Sequence, residues 1–457
     1  MTKDSISVVK ASILLIASIS IVLGGVIFAE APTEPVLILA GMVTIGLALM
    51  WGIDWDTIQD DLINNLQRMF IPILILMSVG MVIGVWILSG TVPLMIYYGL
   101  QILNPTIFLV AAAILCAIMS ILIGTSWGTL GTAGVALMGI SVGLGIPPHY
   151  TAGAVVVGAI FGDKMSPLSD TTVLAAGVTG TDIVDHIKHM LYTTIPGFVI
   201  SLIVYAIIGF KYGGGEVSGE DYDIILNSLQ NEFNLNPLLI LPPILVLFLI
   251  YRRKSPLMVF GIGILLGSSF AVIFQGATFL EVTEAMSGGY TRASGAEVVD
   301  EMLHQGGLMG MMGTVALLIS AAIFGSPLKS SGVIDTFLNR VQNVAKSAKS
   351  IMFSNYILHG LLFTITGSYY VTYAVFGPMV SPLFDEYKLH CKNLSRLLED
   401  SGTNFAPVVP WSVTGAFVTG TLGVEYTDYI LFAPMTYLAL VFGLIYVFTG
   451  FSIEKTE

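Results

Sequence analysis

The chain has 457 residues, of which 55% are hydrophobic and 11% are charged, and its mean hydropathy is +0.87. Soluble globular domains carry about 25% charged residues, so the composition excludes an ordinary soluble protein and predicts an all-α polytopic membrane protein. The formal net charge of −12 argues against a nucleic-acid partner. The sequence lacks a nucleotide-binding fingerprint, which leaves ATP-driven pumping unsupported.

The apolar runs define the predicted membrane passes. A spanning helix needs about 20 apolar residues. Clear candidates lie near residues 11–29, 36–52, 70–89, 106–123, 190–210, 236–251, 256–275, 306–325, 351–367 and 427–450. Shorter glycine-rich stretches that predict half-helices or re-entrant segments lie near 133–146, 150–161, 173–180, 370–381 and 405–423. We expect about ten to thirteen passes in one integral membrane domain that covers residues 1–457.

The basic residues predict the orientation, since short loops rich in Lys and Arg stay in the cytoplasm. Lys3 and Lys10 place the N-terminus inside, and Arg252-Arg253-Lys254 is the strongest later inside signal. The acidic connections 211–235 and 276–305 are predicted to lie outside. This alternation agrees with the predicted spans and indicates a multi-pass protein of the inner (cytoplasmic) cell membrane.

A polar break follows the apolar run 106–123. Glycines flank it, and it contains the site candidates Thr125, Ser126, Trp127 and Thr129. The hydroxyl groups are candidate ligands of an ion or substrate, although small residues also serve tight helix packing. The Trp127 side chain either gates the site or belongs to an interfacial aromatic belt.

The stretch 158–172 is the strongest functional signal, because it places charged residues between apolar segments. A carboxylate at bilayer depth costs about 2.5–3.5 kcal/mol. Pro167 cannot continue a helix and biases Ser166 away from helical angles, and Gly162 adds backbone freedom. The pattern predicts a broken helix whose carbonyls and side-chain oxygens bind a small ion. Its candidate residues are Asp163, Lys164, Ser166, Ser169, Asp170 and Thr171.

Asp163 is the first candidate for the ion site. A desolvated carboxylate can hold a proton near neutral pH, and a bound cation expels that proton. Because hard cations take oxygen ligands, we predict that Asp163, Ser126 and Ser166 bind Na⁺. Two structural alternatives remain open. In the first, Asp163 and Lys164 form an ion pair that only stabilises the broken helix, and in the second, Asp170 is a helix N-cap. Lys164 is otherwise a gating residue or a charge partner.

A second polar cluster lies near the C-terminus and supplies further candidates for ion or substrate binding. These are Ser368, Asp400, Ser401, Thr403 and Asn404. The alternative for Asp400 is a cytoplasmic surface acid close to Lys392 and Arg396. Residues 329–349 predict an amphipathic helix at the membrane interface, with its basic residues near the lipid headgroups.

The two polar regions form an internal repeat. The break at 123–129 followed by Gly162–Pro167 parallels the break at 365–372 followed by Gly402–Pro407. By the loop charges, the two units cross the membrane in opposite directions. An inverted pair with matched breaks is typical of a secondary transporter with a site near the bilayer midplane. We predict repeats at about 70–210 and 306–450, with chance similarity between glycine-rich segments as the alternative.

The segment Phe161–Thr172, continued by Thr181-Asp182 and 186–193, closely resembles the signature of the NhaC family of Na⁺/H⁺ antiporters. Residues 398–403 and Pro410-Trp411 resemble the second block of that family. The resemblance implies an inverted-repeat fold and Na⁺ export driven by proton entry through alternating access. The family has malate/lactate exchangers among its members, so Na⁺- and H⁺-coupled exchange of an organic carboxylate is the alternative.

A membrane enzyme is the competing class of function. Asp163 and Asp170 lie on one broken segment, whereas paired catalytic acids usually come from facing elements, so we expect no enzymatic activity. We expect no cofactor, with Na⁺ and H⁺ present only as transported ions. The expected partners are those ions, small carboxylates under the alternative, and the lipid bilayer, and a homodimer is compatible with the sequence.

Overall fold

A computed structural model describes residues 6–25, 29, 31–167, 169–212, 220–252, 254–333, 336–337, 340 and 346–456. The predictions that concern Lys3, Arg253 and the central part of the 329–349 helix lie outside these residues.

The first half of the chain is a series of helices that surround two breaks. Their bounds are α1 Val8–Leu23, α2 Thr33–Met50, α3 Trp55–Leu88, α4 Thr91–Ile102, α5 Pro105–Ile123, α6 Ser126–Thr129, α7 Val135–Gly143, α8 Pro148–Met165, α9 Asp170–Thr179, α10 Ile183–Tyr212 and α11 Glu220–Glu232. A π-helical turn, Leu130–Gly134, joins α6 to α7.

The second half has the same all-helical character. Its helices are α12 Leu241–Tyr251, α13 Pro256–Gln275, α14 Phe279–Gly288, α15 Glu297–Leu303, α16 Met312–Ser330, α17 Ala348–Thr366, α18 Tyr369–Glu386, α19 Cys391–Ser401, α20 Val413–Leu422, α21 Tyr426–Tyr429 and α22 Pro434–Thr449. Short 3₁₀ turns lie at Pro237–Ile240, Met309–Met311, Ala406–Val408 and Ile430–Phe432.

The helices confirm the prediction of an all-α polytopic membrane protein. Within the described part of the chain, seven helical segments are long and apolar enough to cross a bilayer, or nine when each of two bent pairs counts as one span. The higher number of passes expected from the sequence also counts shorter apolar helices such as α1. On α10, Ile203, Ile207 and Phe210 are each more than half exposed and share one face. Such an apolar outer stripe is typical of a helix in contact with lipid.

The first pair of breaks has the same backbone path in both halves of the chain. Helix α5 ends at Gly124 (φ 76°) and α17 ends at Gly367 (φ 65°), both in the left-handed region where glycine is favoured. Thr125 and Ser368 follow in extended conformations and begin the next helix. The two predicted breaks are therefore found at corresponding points.

The second pair of breaks also matches. After α8, Ser169 caps the short helix α9 by accepting a hydrogen bond from Thr172 N. After α19, Ser412 caps the short helix α20 by accepting from Gly415 N. In each half of the chain a helix, of 18 residues in α8 and 11 in α19, is thus followed by a break and a ten-residue half-helix. The repeat boundaries at about 70–210 and 306–450 stay a prediction.

The half-helix of each half of the chain packs against helices of the other half. Helix α9 packs on α18 and α19 from the second half, and α20 packs on the π-helical turn 130–134 and on α3 from the first half. Helix α8 lies close along α5, where a Cβ on Gly162 would come within 2.5 Å of Ser120 Cβ. This interlocked packing brings the four breaks to the same region of the molecule.

Candidate functional site

Asp163 is a buried carboxylate in the last turn of α8, with 3% of its surface exposed. Its Oδ2 accepts a hydrogen bond from Ser126 Oγ at 2.7 Å. Its Oδ1 has no hydrogen-bond partner among the described residues. Because a buried carboxylate oxygen without a partner costs free energy, Oδ1 is the oxygen available to a bound ion.

A cavity of about 600 Å³ lies beside Asp163. The first break contributes Thr125, Ser126 and Trp127 to its wall, and the second contributes Ser368, Tyr369 and Tyr370. Asp163 and Asp170 complete the polar part of the wall. The tertiary structure therefore brings together six of the residues that the sequence analysis selected as site candidates, namely Thr125, Ser126, Trp127, Asp163, Asp170 and Ser368.

The two units contact each other across this cavity at equivalent positions. Trp127, the third residue after Gly124, stacks on Phe417 of α20 with ring centroids 4.8 Å apart and an interplanar angle of 10°. Tyr370, the third residue after Gly367, donates a hydrogen bond to Asp170 Oδ2 of α9 at 2.5 Å. In each case the residue beside one break holds the half-helix of the other unit.

Asp170 has a different local role from the N-cap alternative. Ser169 is the N-cap of α9, and Asp170 is the first residue of the helix, so that alternative is wrong. Asp170 Oδ1 accepts a hydrogen bond from Thr171 N at 2.9 Å. The hydroxyl groups of Ser169 and Thr171 lie 3.0 Å apart and organise the start of α9. Neither residue is among those that line the cavity in the described structure.

Thr129 and Ser166 also lie away from the cavity wall. Thr129 Oγ1 donates to the Thr125 carbonyl at 3.1 Å within its own helix. Ser166 Oγ donates to the Ile121 carbonyl at 2.7 Å and thereby ties the α8 break to α5. Ser126 Oγ donates to the Asp163 carboxylate, and the Ser169 side chain is a second hydrogen-bonding neighbour of Asp163. The Na⁺-ligand role of Ser166 stays a prediction.

Lys164 pairs with Asp400 rather than with Asp163. The distance between Lys164 Nζ and Asp400 Oδ1 is 3.0 Å, and both side chains are fully buried. Thr193 Oγ1 donates to the same Asp400 oxygen at 2.9 Å, and Tyr356 Oη donates to Asp400 Oδ2 at 3.3 Å. The alternatives of an Asp163–Lys164 pair and of a surface-exposed Asp400 are therefore wrong.

The remaining candidates of the second cluster pack around its break. Ser401 Oγ lies 2.7 Å from His359 Nδ1, and Thr403 Oγ1 lies 2.8 Å from Tyr373 Oη. Asn404 Nδ2 donates to the Met435 carbonyl at 2.8 Å. These three residues are buried and do not line the cavity within the described structure.

Two polar residues were missed as site candidates. Asn65, on the N-terminal part of α3, lines the cavity. Glu399 is fully buried, and neither carboxylate oxygen has a hydrogen-bond partner among the described residues. In the sequence, the adjacent Asp400 is the signal that could have identified Glu399. Asn65 has no such signal, because it lies in a stretch predicted to be a cytoplasmic connection.

The ligand chemistry at Asp163 is that of oxygen atoms: one carboxylate with the Ser126 hydroxyl held against it. Hard cations prefer such donors. An all-helical membrane protein with this site beside a cavity between paired broken helices belongs to the class of membrane transporters. The model of the Na⁺/H⁺ antiporter family matches residues 5–174 and 158–451, and the chain therefore belongs to this family.

Curated relatives cover nearly the whole chain. The Malate-2H⁺/Na⁺-lactate antiporter of Bacillus subtilis is 35% identical over 439 residues, which are 96% of this chain and 94% of that protein. The Na⁺/H⁺ antiporter NhaC of Alkalihalophilus pseudofirmus is 38% identical over 406 residues, which are 89% of this chain and 87% of that protein. The resemblance to the NhaC family is thus confirmed, and these two relatives are, by their names, an antiporter of malate, lactate, Na⁺ and H⁺ and an antiporter of Na⁺ and H⁺.

Proposed function

We propose that this protein is a secondary antiporter that exports Na⁺ in exchange for H⁺. The observation that carries the proposal is the position of Asp163: one of its oxygens is held by Ser126 and the other is without a described partner beside the cavity. Family membership and the NhaC relative support the same activity.

Competition at one carboxylate accounts for the exchange. Ionised Asp163 binds Na⁺ through Oδ1, with Ser126 holding the geometry. A proton on the same carboxylate removes the charge that binds Na⁺. Since the two ions exclude each other, each passage of the site across the membrane carries either Na⁺ or H⁺, and the flows are coupled.

Alternating access follows from the paired breaks. Movement of one unit against the other exposes a site between them to each side in turn. The cavity wall includes Ile250 and Pro256, which flank the basic connection between α12 and α13. With that connection in the cytoplasm, as its basic residues predict, the described conformation has its cavity on the cytoplasmic side.

Carboxylate exchange is the second candidate. It is favoured by the Bacillus subtilis malate/lactate relative and by a cavity much larger than one Na⁺. In that mechanism Lys164 and a half-helix N-terminus would hold the carboxylate. However, Asp400 already neutralises Lys164, and the cavity wall carries two acids, Asp163 and Asp170. The charge of the site therefore favours cation exchange.

The experiment is the dissipation of a pH gradient in proteoliposomes. Na⁺, Li⁺, K⁺, malate and lactate are added in turn to liposomes with purified protein and to protein-free liposomes. A response to Na⁺ without a carboxylate is expected. A response that requires malate or lactate would replace the proposal with carboxylate exchange, and flux of Na⁺ without proton movement would contradict antiport altogether.

A further inference from the structure

We propose that a second cavity binds an anionic phospholipid, with one acyl chain in an apolar groove and the headgroup phosphate beside basic residues at the cytoplasmic end. The groove measures about 280 Å³ and lies between Leu15 of α1, residues Val333 and Phe337, and the outer face of α17. It shares no described lining residue with the cavity beside Asp163. Lipid binding there is independent of the proposed exchange of ions.

The composition of the groove suits an acyl chain and not a polar solute. Nine of its ten described lining residues are apolar, and Ser354 is the exception. Phe353, Ile357 and Leu361 follow each other at intervals of four residues along α17, and each is 38% to 43% exposed. Because side chains four apart on a helix are neighbours on one face, these three form a continuous apolar strip. In a bilayer such a strip contacts acyl chains.

The length of the groove matches one leaflet of the bilayer. Its wall on α17 extends from Phe353 to Ile365, which are about 18 Å apart along the helix axis at about 1.5 Å per residue. Half of the hydrocarbon core is about 15 Å thick. A chain that enters at the cytoplasmic surface therefore ends near Ile365, two residues before Gly367, the C-cap of α17. The bound lipid thus packs on the helix that leads to Ser368 in the wall of the ion cavity.

Basic residues lie next to the end of the groove that the loop charges place in the cytoplasm. Lys349 is one turn before Phe353 on α17, and Arg340 follows Phe337 by three residues in the chain. Both are exposed, as is Lys346, and the sequence from Arg340 to Lys349 contains no acid. None of the three bases forms an ion pair with a described residue, so their charges are available to an anionic group.

The position of Lys349 connects this charge to the groove. Its Nζ donates a hydrogen bond to the Phe448 carbonyl at 2.8 Å, and the Phe448 ring packs on Phe353 with centroids 5.3 Å apart. The ammonium group is thereby held near the first ring of the groove, with two further N–H groups for phosphate oxygens. Since basic residues at the cytoplasmic surface attract anionic lipids, a lipid with net negative charge is favoured over a zwitterionic one.

The test compares phosphatidylglycerol with phosphatidylcholine on the purified protein in detergent. Lipids with the same acyl chains are added in a concentration series, and thermal unfolding is measured. We expect phosphatidylglycerol to raise the melting temperature in a saturable manner, and phosphatidylcholine to need a concentration about tenfold higher or more. Inorganic phosphate, which lacks the acyl chain, should have no effect. Equal stabilisation by the two lipids would overturn the proposal, because the headgroup charge would then play no part.

Two variants test the two parts of the site. Arg340→Gln/Lys346→Gln should weaken the binding of phosphatidylglycerol by about 25-fold, at about fivefold per charge, and leave phosphatidylcholine unaffected. Ile357→Trp places a large ring in the groove and should weaken both lipids. Lys188→Gln, which removes an exposed base outside the groove, is the control. The comparison of lipids on the wild-type protein decides the question even where Ile357→Trp does not fold.

Native mass spectrometry separates a lipid site from a contact between two copies of the protein. A protein that retains phosphatidylglycerol, and loses it in Arg340→Gln/Lys346→Gln, supports the proposal. A dimer that retains no lipid would overturn it, and so would unchanged retention in that double variant. None of these readouts depends on the transport of Na⁺, so failure of the lipid site and failure of Na⁺/H⁺ exchange are distinguishable.

Discussion

Lys164 and Asp400 form a buried ion pair that joins the two halves of the chain, with Nζ and Oδ1 3.0 Å apart. Thr193 and Tyr356 donate hydrogen bonds to the same carboxylate. The ends of α8 and α19 are thereby tied to each other and to α10 and α17. Neither residue is among the described lining residues of the cavity, so we expect the pair to hold the two units together rather than to contact a bound ion.

Removal of one partner of this pair should destabilise the protein. Lys164→Met leaves the Asp400 carboxylate buried without its cation, which costs about 3–5 kcal/mol. The double variant Lys164→Met/Asp400→Leu should recover most of that loss, because no buried charge remains. Chemical unfolding in detergent measures both, with the exposed Lys254→Met as control. A single variant as stable as the double variant would contradict the interpretation.

Asp163→Asn should abolish Na⁺-dependent proton movement while leaving expression intact. The amide is close in size to the carboxylate but carries no charge for Na⁺ and takes up no proton. The loss of charge-assisted contacts corresponds to a roughly 10–100-fold weaker cation affinity. Exchange is measured in proteoliposomes beside Asp428→Asn, an exposed carboxylate outside the cavity. Normal exchange by Asp163→Asn would remove this residue from the mechanism.

Ser126→Ala should weaken Na⁺ binding without unfolding the protein. The variant loses the 2.7 Å hydrogen bond that orients Asp163, and a hydrogen bond to a charged group contributes about 1.5–3 kcal/mol. We expect the KM for Na⁺ to rise by about tenfold or more. Ser268→Ala is the matched control, since the hydrogen bond of that hydroxyl in the described structure stays within its own helix, to the Ile264 carbonyl. An unchanged KM would show that Asp163 needs no orienting hydroxyl.

Gly162→Ala should loosen the contact between α8 and α5. The added methyl group would come within 2.5 Å of Ser120 Cβ and 2.7 Å of Ile121 N, and such overpacking costs about 1–3 kcal/mol. Gly261→Ala on α13 is the control, because a Cβ there meets nothing within 4 Å. Thermal unfolding in detergent compares the two. Equal stability of both variants would mean that the helices separate readily at this point.

The predicted orientation can be checked with single cysteines at exposed loop positions. Asn234→Cys lies in the acidic connection predicted outside, and Lys254→Cys lies in the basic connection predicted inside. In a variant without the native Cys116 and Cys391, a membrane-impermeant maleimide should label intact cells at position 234 but not at 254. Labelling of both positions from one side would contradict the inverted arrangement of the two units.

Much of the fold follows from local sequence. The long apolar runs predict helices such as α5 and α10, because only helices satisfy the backbone in a bilayer. The breaks after Ile123 and Thr366 are signalled by glycine followed by a hydroxyl residue, a pattern that ends one helix and caps the next. The pairing of these breaks was also visible, since both halves of the chain contain the same order of signals.

The site was predictable only in part. The polar stretch around Asp163 is recognisable in the sequence because apolar segments flank it. The structure places Asp163 beside the cavity. The sequence offered Ser126 and Ser166 as equal candidates beside that carboxylate. Ser166 bonds the Ile121 carbonyl instead, and this choice depends on how α8 packs along α5. Glu399 belongs to the same polar cluster as Asp400 but was not selected, because the sequence does not show which of two neighbouring acids at the end of a helix is buried without a partner.

The sequence alone determined the membrane class, the positions of the breaks and the presence of a carboxylate within the bilayer. These properties depend on local hydropathy and on the backbone preferences of glycine and proline. Only the tertiary structure decided that Lys164 neutralises Asp400 and that Asp163 is left facing the cavity with one oxygen free of described partners. The partners in a buried ion pair come from segments far apart in the chain, so their choice is made by helix packing and not by neighbouring residues.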